Sequence, residues 1–159
     1  MTTKNTDLVA NFEATPPVLN NAAELAGVVR TANGSVELAA GDSTDNDIVM
    51  LAPIPSNASV PQLFVGSDTF GGSCTFNVGI YQTDGTVKDE DVFASSVADA
   101  AALTDVRFEA ADLNTGSKKL WELAGDSTDP GGYFYVAITF NATGGTAGTL
   151  NWNINYVVN

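Results

Sequence analysis

The sequence contains few side chains that could carry out catalysis. None of its 159 residues is a histidine, which excludes Ser-His-Asp and Cys-His catalysis, histidine metal sites and the usual proton shuttle. No GxGxxG motif opens a helix, and no phosphate-binding loop ends in Gly-Lys-Ser or Gly-Lys-Thr. The acidic residues could supply the carboxyl pair of a glycoside hydrolase, but their clusters lie in predicted turns or at a predicted helix start, where solvation explains them. We therefore predict that the protein is not an enzyme and holds no cofactor.

Aspartates in two short runs have the spacing of oxygen ligands for calcium. The runs are VELAAGDSTDND at 36–47 and WELAGDSTDPGG at 121–132, and their candidate ligands are Asp42, Asp45, Asp47, Asp126 and Asp129. Neither run has the Gly at position six and the Glu at position twelve of an EF-hand loop. We predict polar turns with aspartate caps and no metal, and calcium binding remains the alternative.

The charge of the chain excludes two classes of partner. Asp and Glu number 19 against six Lys and Arg, a net charge of −13, so the surface repels phosphate backbones and anionic membranes. We predict no nucleic-acid and no membrane partner. The segment 1–17 lacks the apolar run of a signal peptide or membrane anchor, so we expect synthesis in a cytoplasm.

Most of the sequence after residue 27 has the residue patterns of β-strands. Alternation and turn residues predict eight strands, at 28–31, 36–39, 47–52, 60–65, 74–81, 106–108, 133–140 and 150–158. The first two flank Asn33-Gly34, a dipeptide typical of a two-residue hairpin, and Pro61 is expected at an edge or at the first strand position. Eight short strands predict an all-β, two-sheet antiparallel sandwich with a jelly roll as the favoured topology.

One longer helix is predicted within this sandwich, at 89–103. Acidic residues lie in its first turn, where the helix dipole favours them, and one apolar stripe is formed by Val92, Phe93, Val97, Ala100 and Ala101. A brief second helix at 117–124 is predicted to be capped by Ser117 and ended by Gly125.

The alternation also divides the strand residues between a core and a surface. The predicted core contains Phe76, Val78, Ile80, Phe134, Val136, Ile138, Phe140, Trp152 and Ile154. The only cysteine, Cys74, is expected to be a small buried hydrophobe. Tyr133 and Tyr135 lie opposite the aliphatic face of their strand and are interface candidates. The alternative is a sugar-stacking platform of Tyr133, Tyr135, Trp121, Trp152 and Tyr156.

Residues 1–26, the arm, precede the predicted sandwich at 27–159. The arm has few patterned hydrophobics and contains Pro16-Pro17, which stiffens the chain into an extended form. We predict an extended arm that docks on a partner, with a frayed terminus as the alternative. Its candidate contact residues are Leu8, Val9, Phe12, Pro16, Pro17 and Val18.

The segment LWELAGDSTDPGGYFYVAIT at 120–139, followed by a glycine-rich turn and a terminal strand ending in NYVV, resembles the head decoration, or cement, proteins of tailed phages. Thr-Pro-Pro at 15–17, Gly-Val-Val-Arg at 27–30 and Leu-Ala-Pro-Ile-Pro at 51–55 fit the same pattern. The stretch 84–105 departs from it, because it is longer and more acidic.

The resemblance implies a sandwich or jelly-roll subunit that binds the outer surface of the capsid between capsomers. The partners it implies are the phage major capsid protein and further copies of the chain, as a dimer or trimer, within the virion. The alternative function is a carbohydrate- or receptor-binding β-sandwich of a tail fibre or cell-surface protein. Exposed coplanar aromatics or calcium would favour that alternative.

Overall fold

The computed structural model describes residues 5–20, 25, 27–99, 103–107 and 114–158. Within them, eight strands form two four-stranded antiparallel sheets. The strands are β1 (Val29–Leu38), β2 (Ile48–Pro55), β3 (Ala58–Ser67), β4 (Thr75–Tyr81), β5 (Val87–Ala98), β6 (Thr104–Asp105), β7 (Tyr133–Ala142) and β8 (Gly148–Val158). Two short helices accompany them, α1 (Asp7–Glu13) and α2 (Leu120–Leu123).

The strand order identifies the topology. The first sheet runs β1-β8-β3-β6 and the second runs β2-β7-β4-β5. The pairs β1 with β8, β2 with β7, β3 with β6 and β4 with β5 are all antiparallel, as expected when one long antiparallel ribbon is wrapped into two sheets. This is the order of an eight-stranded jelly roll, so the predicted all-β sandwich and its favoured topology are confirmed.

The core lies between the two sheets. Of the nine predicted core residues, eight are buried, and Trp152 is half-buried and packs against them. Phe140 lies at the centre, with its ring edge-to-face against Phe70 at 5.7 Å and Phe76 at 6.2 Å between ring centroids. Cys74 is buried in the same cluster, as predicted.

The predicted hairpin at Asn33-Gly34 is wrong. These residues lie inside β1, which pairs with β8 without interruption from Val29 to Leu38. Gly34 is directly opposite Trp152, and a Cβ at Gly34 would lie 2.6 Å from Cζ2 of that indole. The glycine therefore leaves space for the tryptophan on the neighbouring strand. From the sequence alone, an Asn-Gly pair with this function cannot be distinguished from one that forms a turn.

The predicted helix at 89–103 is also wrong. Residues 87–98 form β5, which pairs with β4 through three register shifts and contains Ser96 at φ 54°. The bulges place Phe93 and Ala94 consecutively in the interior. The apolar residues of β5 therefore do not alternate as in a regular strand, and their spacing matches that of a helix. Ala100 and Ala101, the end of the predicted stripe, lie outside the described residues.

Three smaller predictions need correction. The second helix is limited to α2 and begins after Lys119, whose backbone N–H donates to the Glu122 carboxylate at 2.8 Å. Ser117 is therefore not the cap, although Gly125 ends the helix at φ 76° as predicted. The strand expected at 106–108 is β6, two residues earlier, and Phe108 is not among the described residues.

Prolines lie within two of the strands. Pro53 and Pro55 belong to β2, an edge strand, where a missing N–H costs no ladder bond. Pro61 lies inside β3, which has neighbours on both sides, and not at the edge or strand start that was predicted. The pairing of β3 with β8 shifts register between Ser59 and Gln62, so a bulge accommodates the proline.

A buried arginine links the segment after β6 to β3. Arg107 has no exposed surface, and its Nε donates to the carbonyl of Val60 at 2.7 Å. Its Nη2 donates to the backbone oxygen and hydroxyl of Thr115 at 3.1 and 3.2 Å. The guanidinium also lies over the ring of Phe93, 4.9 Å from its centroid. Through this cation–π contact Arg107 also contacts β5.

In the part of the chain that the structure describes, no helix has the length and apolar character needed to cross a membrane.

Candidate interaction surfaces

The arm has more structure than the sequence predicts. Its residues Asp7–Glu13 form the helix α1 rather than an extended chain, and none of them is buried. After Pro16-Pro17 the chain turns back along this helix, because the N–H of Val18 donates to the carbonyl of Asn11 at 3.0 Å. Nδ2 of Asn11 donates to the side chain of Asn20 at 2.7 Å, and Nδ2 of Asn20 donates to the carbonyl of Leu8 at 3.2 Å. Residues 5–20 of the arm are therefore a helix and a returning segment held by local hydrogen bonds.

Apolar side chains on the arm are exposed to solvent. Phe12 is 75% exposed and Val18 54%. Leu19, which the sequence analysis did not select, is 96% exposed. Of the other predicted contact residues, Val9, Pro16 and Pro17 are exposed and Leu8 is half-buried. All six are therefore at least partly accessible to a partner, and their role in contact remains a prediction.

The second surface is the outer face of β2 and β7. Pro53 lies opposite Tyr135 and Pro55 opposite Tyr133, while Phe134 and Ile54 between them point into the core. Along the same outer side, Ile48 is 45% and Met50 39% exposed, and Tyr133 is 57% exposed. We call this surface the β2–β7 face; its members are Ile48, Met50, Pro53, Pro55, Tyr133 and Tyr135. The two predicted tyrosines thus lie together on a larger apolar surface.

The neighbouring part of the same sheet is covered. On the outer side of β4, Asn77 and Tyr81 are buried, together with Thr139 of β7. Oδ1 of Asn77 accepts from the backbone N–H of Ser96 in β5 at 2.8 Å, and the hydroxyls of Tyr81 and Thr139 share a hydrogen bond. Burial raises the pKa of Tyr81. Because β5 closes over β4, the outer side of β4 adds nothing to the exposed apolar area of β2 and β7.

The aspartates of the first run serve as turn caps. Asp47 accepts from the N–H of Thr44 at 2.8 Å and from its hydroxyl at 2.5 Å, and these bonds lower the pKa of Asp47. Asp42 accepts from the N–H of Ala39 at 2.9 Å, and Asp45 accepts from the side chain of Asn46 at 3.1 Å. These carboxylates face their own turns, as the prediction of aspartate caps required.

The second run is built in a similar way. Asp129 accepts from the hydroxyl of Ser56 at 2.6 Å and from the N–H of Gly131 at 2.9 Å, and these bonds lower the pKa of Asp129. Asp126 forms an ion pair with Lys88 of β5 at 2.7 Å. Over the described ranges, no group of three or more His, Cys, Asp or Glu side chains is placed to hold a metal ion.

Two depressions contain pairs of carboxylates, the arrangement a glycosidase needs. One of about 380 Å³ is lined by Asp42 and Asp47, and one of about 240 Å³ by Asp84 and Asp126. Hydrogen bonds from Thr44 and from Thr86 lower the pKa of Asp47 and Asp84 respectively. A general acid requires a raised pKa, so neither of these two carboxyl groups suits that role.

The five aromatic residues of the possible sugar platform are not brought together. Trp152 and Tyr156 lie in β8 of the first sheet and pack against the core, as does Trp121 of α2. Tyr133 and Tyr135 lie in the second sheet. The structure therefore leaves only the two tyrosines as neighbours on an accessible surface.

The strand order and register define the chain as an eight-stranded jelly roll, and a comparison of structures finds a solved chain of similar fold. The chain aligns with one in the capsid asymmetric unit of cyanophage Pam1 at a TM-score of 0.53 and 18% identity, over 84% of this chain and 86% of that one. At this identity the likeness shows a shared fold. No protein-family model matches the sequence, and no curated protein does so either.

Two further solved structures align less closely. A chain of infectious bursal disease virus, Gx strain, has a TM-score of 0.46 and 15% identity, over 82% of this chain and 32% of that one. A chain in the acid-stable capsid of Helicobacter pylori bacteriophage KHP30 has a TM-score of 0.39 and 16% identity, over 82% and 88% of the two chains.

Proposed function

We propose that this chain is a structural protein of a phage capsid, and specifically a decoration protein that binds the outer surface of the major capsid shell and stabilises the head. The observation that carries the proposal is the part of the arm at 5–20, where local hydrogen bonds order the chain and the apolar side chains of Phe12, Val18 and Leu19 are exposed. The structural likeness to a chain of the Pam1 capsid supports it. Within this proposal the protein is non-catalytic, belongs to the virion and is made in the host cytoplasm.

The energetics of the arm fit attachment to a repetitive shell. Burying an apolar side chain contributes roughly 1.5–3 kcal/mol, while ordering a free backbone costs about 1–2 kcal/mol per residue. Hydrogen bonds of Asn11 and Asn20 order the arm before binding, which reduces that cost. Attachment through several copies, as a dimer or trimer, would make modest contacts durable.

The second candidate is a carbohydrate- or receptor-binding module, favoured by the depression beside Tyr133. It has a volume of about 240 Å³ and combines Tyr133 with Lys88, Asp84 and Asp126, a mixture of an aromatic ring and polar groups that suits a small sugar. Specific binding on a glycan array, lost on replacing Tyr133, would support this candidate.

Removing residues 1–20 is expected to leave the jelly roll folded and to weaken binding to undecorated phage heads by more than tenfold. Each buried apolar side chain contributes enough for about a tenfold change in affinity or more, and the deletion removes several. Co-sedimentation of the protein with purified heads measures the affinity, and circular dichroism checks the fold.

A point-variant pair separates the arm from general surface effects. The double change Phe12→Ser and Leu19→Ser should reproduce most of the loss, whereas Val87→Ser, at a residue 51% exposed outside the arm, should not. Heads that bind the truncated protein as tightly as the full chain would rule out the arm as the attachment element.

A further inference from the structure

The distribution of charge over the second sheet is uneven. β2, β4 and β7 contain no charged residue, although the whole chain carries a net charge of −13. β5, which contains Lys88, Asp89, Glu90 and Asp91, closes over β4. The β2–β7 face is therefore an uncharged, partly apolar area on a strongly acidic protein.

The residues of this face have the character of an interface core. Such cores are depleted of charge and enriched in Tyr and Met. Tyr133, Ile48 and Met50 are each more than a third exposed although they lie in paired strands. Burying them in a contact would contribute roughly 1.5–3 kcal/mol for each side chain that becomes fully covered.

The charge pattern favours a second copy of this chain as the occupant. A basic partner would gain most from the acidic remainder of the surface and nothing from an area without acids. A partner that is itself acidic can approach closely only where both surfaces lack like charges. A second copy has the same net charge of −13 and the same uncharged face, so the two faces meet without opposing carboxylates at their centre.

The edge of β2 bears on whether two copies associate by pairing their edge strands or by packing their sheet faces. β2 is an edge strand, which could in general pair with a strand of another subunit. Pro53 and Pro55 have no backbone N–H and remove two donors from that strand. Extension of the sheet by another strand is therefore disfavoured, and a contact between faces remains.

We propose that the β2–β7 face is a self-association surface on which a second copy of this chain packs face to face. The inference deepens the proposed function, since it assigns the contact between copies to particular residues. It concerns the free protein and is tested without phage heads, so its failure is distinguishable from failure of arm-mediated attachment.

Analytical ultracentrifugation of the purified full chain tests the proposal. The unmodified protein is expected to self-associate, and the variants Met50→Glu and Tyr133→Glu should each weaken self-association by more than tenfold while the melting temperature stays close to that of the unmodified protein. The matched control is Val29→Glu, the same kind of change at a residue 59% exposed on β1 of the other sheet. This control should associate like the unmodified chain.

Salt dependence gives a second, independent readout. Acidic residues such as Asp47 and Asp126 border the face, so screening should strengthen the contact between copies as salt rises. A protein that is monomeric at every attainable concentration, or association that is unchanged in both glutamate variants, would overturn the proposal.

Cysteine cross-linking covers the case in which a glutamate variant does not fold. The native Cys74 is buried and does not interfere, so Met50→Cys or Tyr133→Cys should form disulfide-linked dimers on oxidation and Val29→Cys should not. Cross-linking that is equal at all three positions would contradict a specific face.

Discussion

Replacing Phe140 by alanine is expected to lower the free energy of unfolding by about 3–5 kcal/mol, the usual cost of truncating a fully buried phenylalanine. Phe140 has no exposed surface and packs edge-to-face against Phe70 and Phe76. Such ring pairs add about 0.5–1.5 kcal/mol beyond burial. Loss of both contacts and the remaining cavity together place the expected effect in this range.

Urea or guanidinium unfolding followed by circular dichroism measures the change. The matched control is Phe12→Ala, the same substitution at a residue 75% exposed on the arm, where a change within about 0.5 kcal/mol is expected. If Phe140→Ala cost less than about 1 kcal/mol, the inward and outward sides of β7 would have been assigned the wrong way round.

The strands of the core were predictable because one physical pattern governs them. In β4, β7 and most of β8, a residue that faces the core alternates with one that does not, and burial selects apolar types at every second position. Phe134, Val136 and Ile138 are buried as that alternation requires. Eight such strands favour a jelly roll, but which strand pairs with which could be seen only from contacts between residues distant in sequence.

Two of the wrong predictions came from features of strand pairing that the local sequence does not show. Asn33-Gly34 has the composition of a turn, but Trp152, more than a hundred residues away, is the reason for the glycine. The apolar stripe beginning at Val92 and Phe93 has helical spacing because bulges in β5 break the alternation of a strand. Local propensity cannot reveal either cause.

The candidate surfaces were predictable only in part. Alternation alone placed Tyr133 and Tyr135 on an outer face, whereas adding Ile48 and Met50 to it required the register between β2 and β7. The buried Arg107 was not predicted, because an arginine carries no sequence signal that distinguishes burial from exposure. In the arm, the helix α1 was missed because seven residues are too few for a clear periodic pattern.

Gly79 explains how β5 can close over β4, and replacing it by alanine is expected to lower the free energy of unfolding by roughly 3 kcal/mol or more. A Cβ at this position would overlap backbone atoms of Asp89 and Glu90. Backbone cannot rotate aside as the end of a flexible side chain can, so β5 itself would have to move. The hydrogen bond from the N–H of Ser96 to Asn77 would be disturbed as well.

Gly41→Ala is the matched control, because a Cβ built at Gly41 has no atom within 4 Å apart from those of Gly41 and its two chain neighbours. Its effect on stability should stay within about 0.5 kcal/mol. Denaturant unfolding of both variants measures the difference. Displacement of β5 would also uncover Tyr81, so the phenol of Tyr81, whose pKa burial raises, should ionise at lower pH in Gly79→Ala than in the unmodified protein. A Gly79→Ala protein as stable as Gly41→Ala, with unchanged tyrosine titration, would show that β5 does not lie against β4 at this point. The boundary between the covered part of the sheet and the β2–β7 face would then have to be drawn elsewhere.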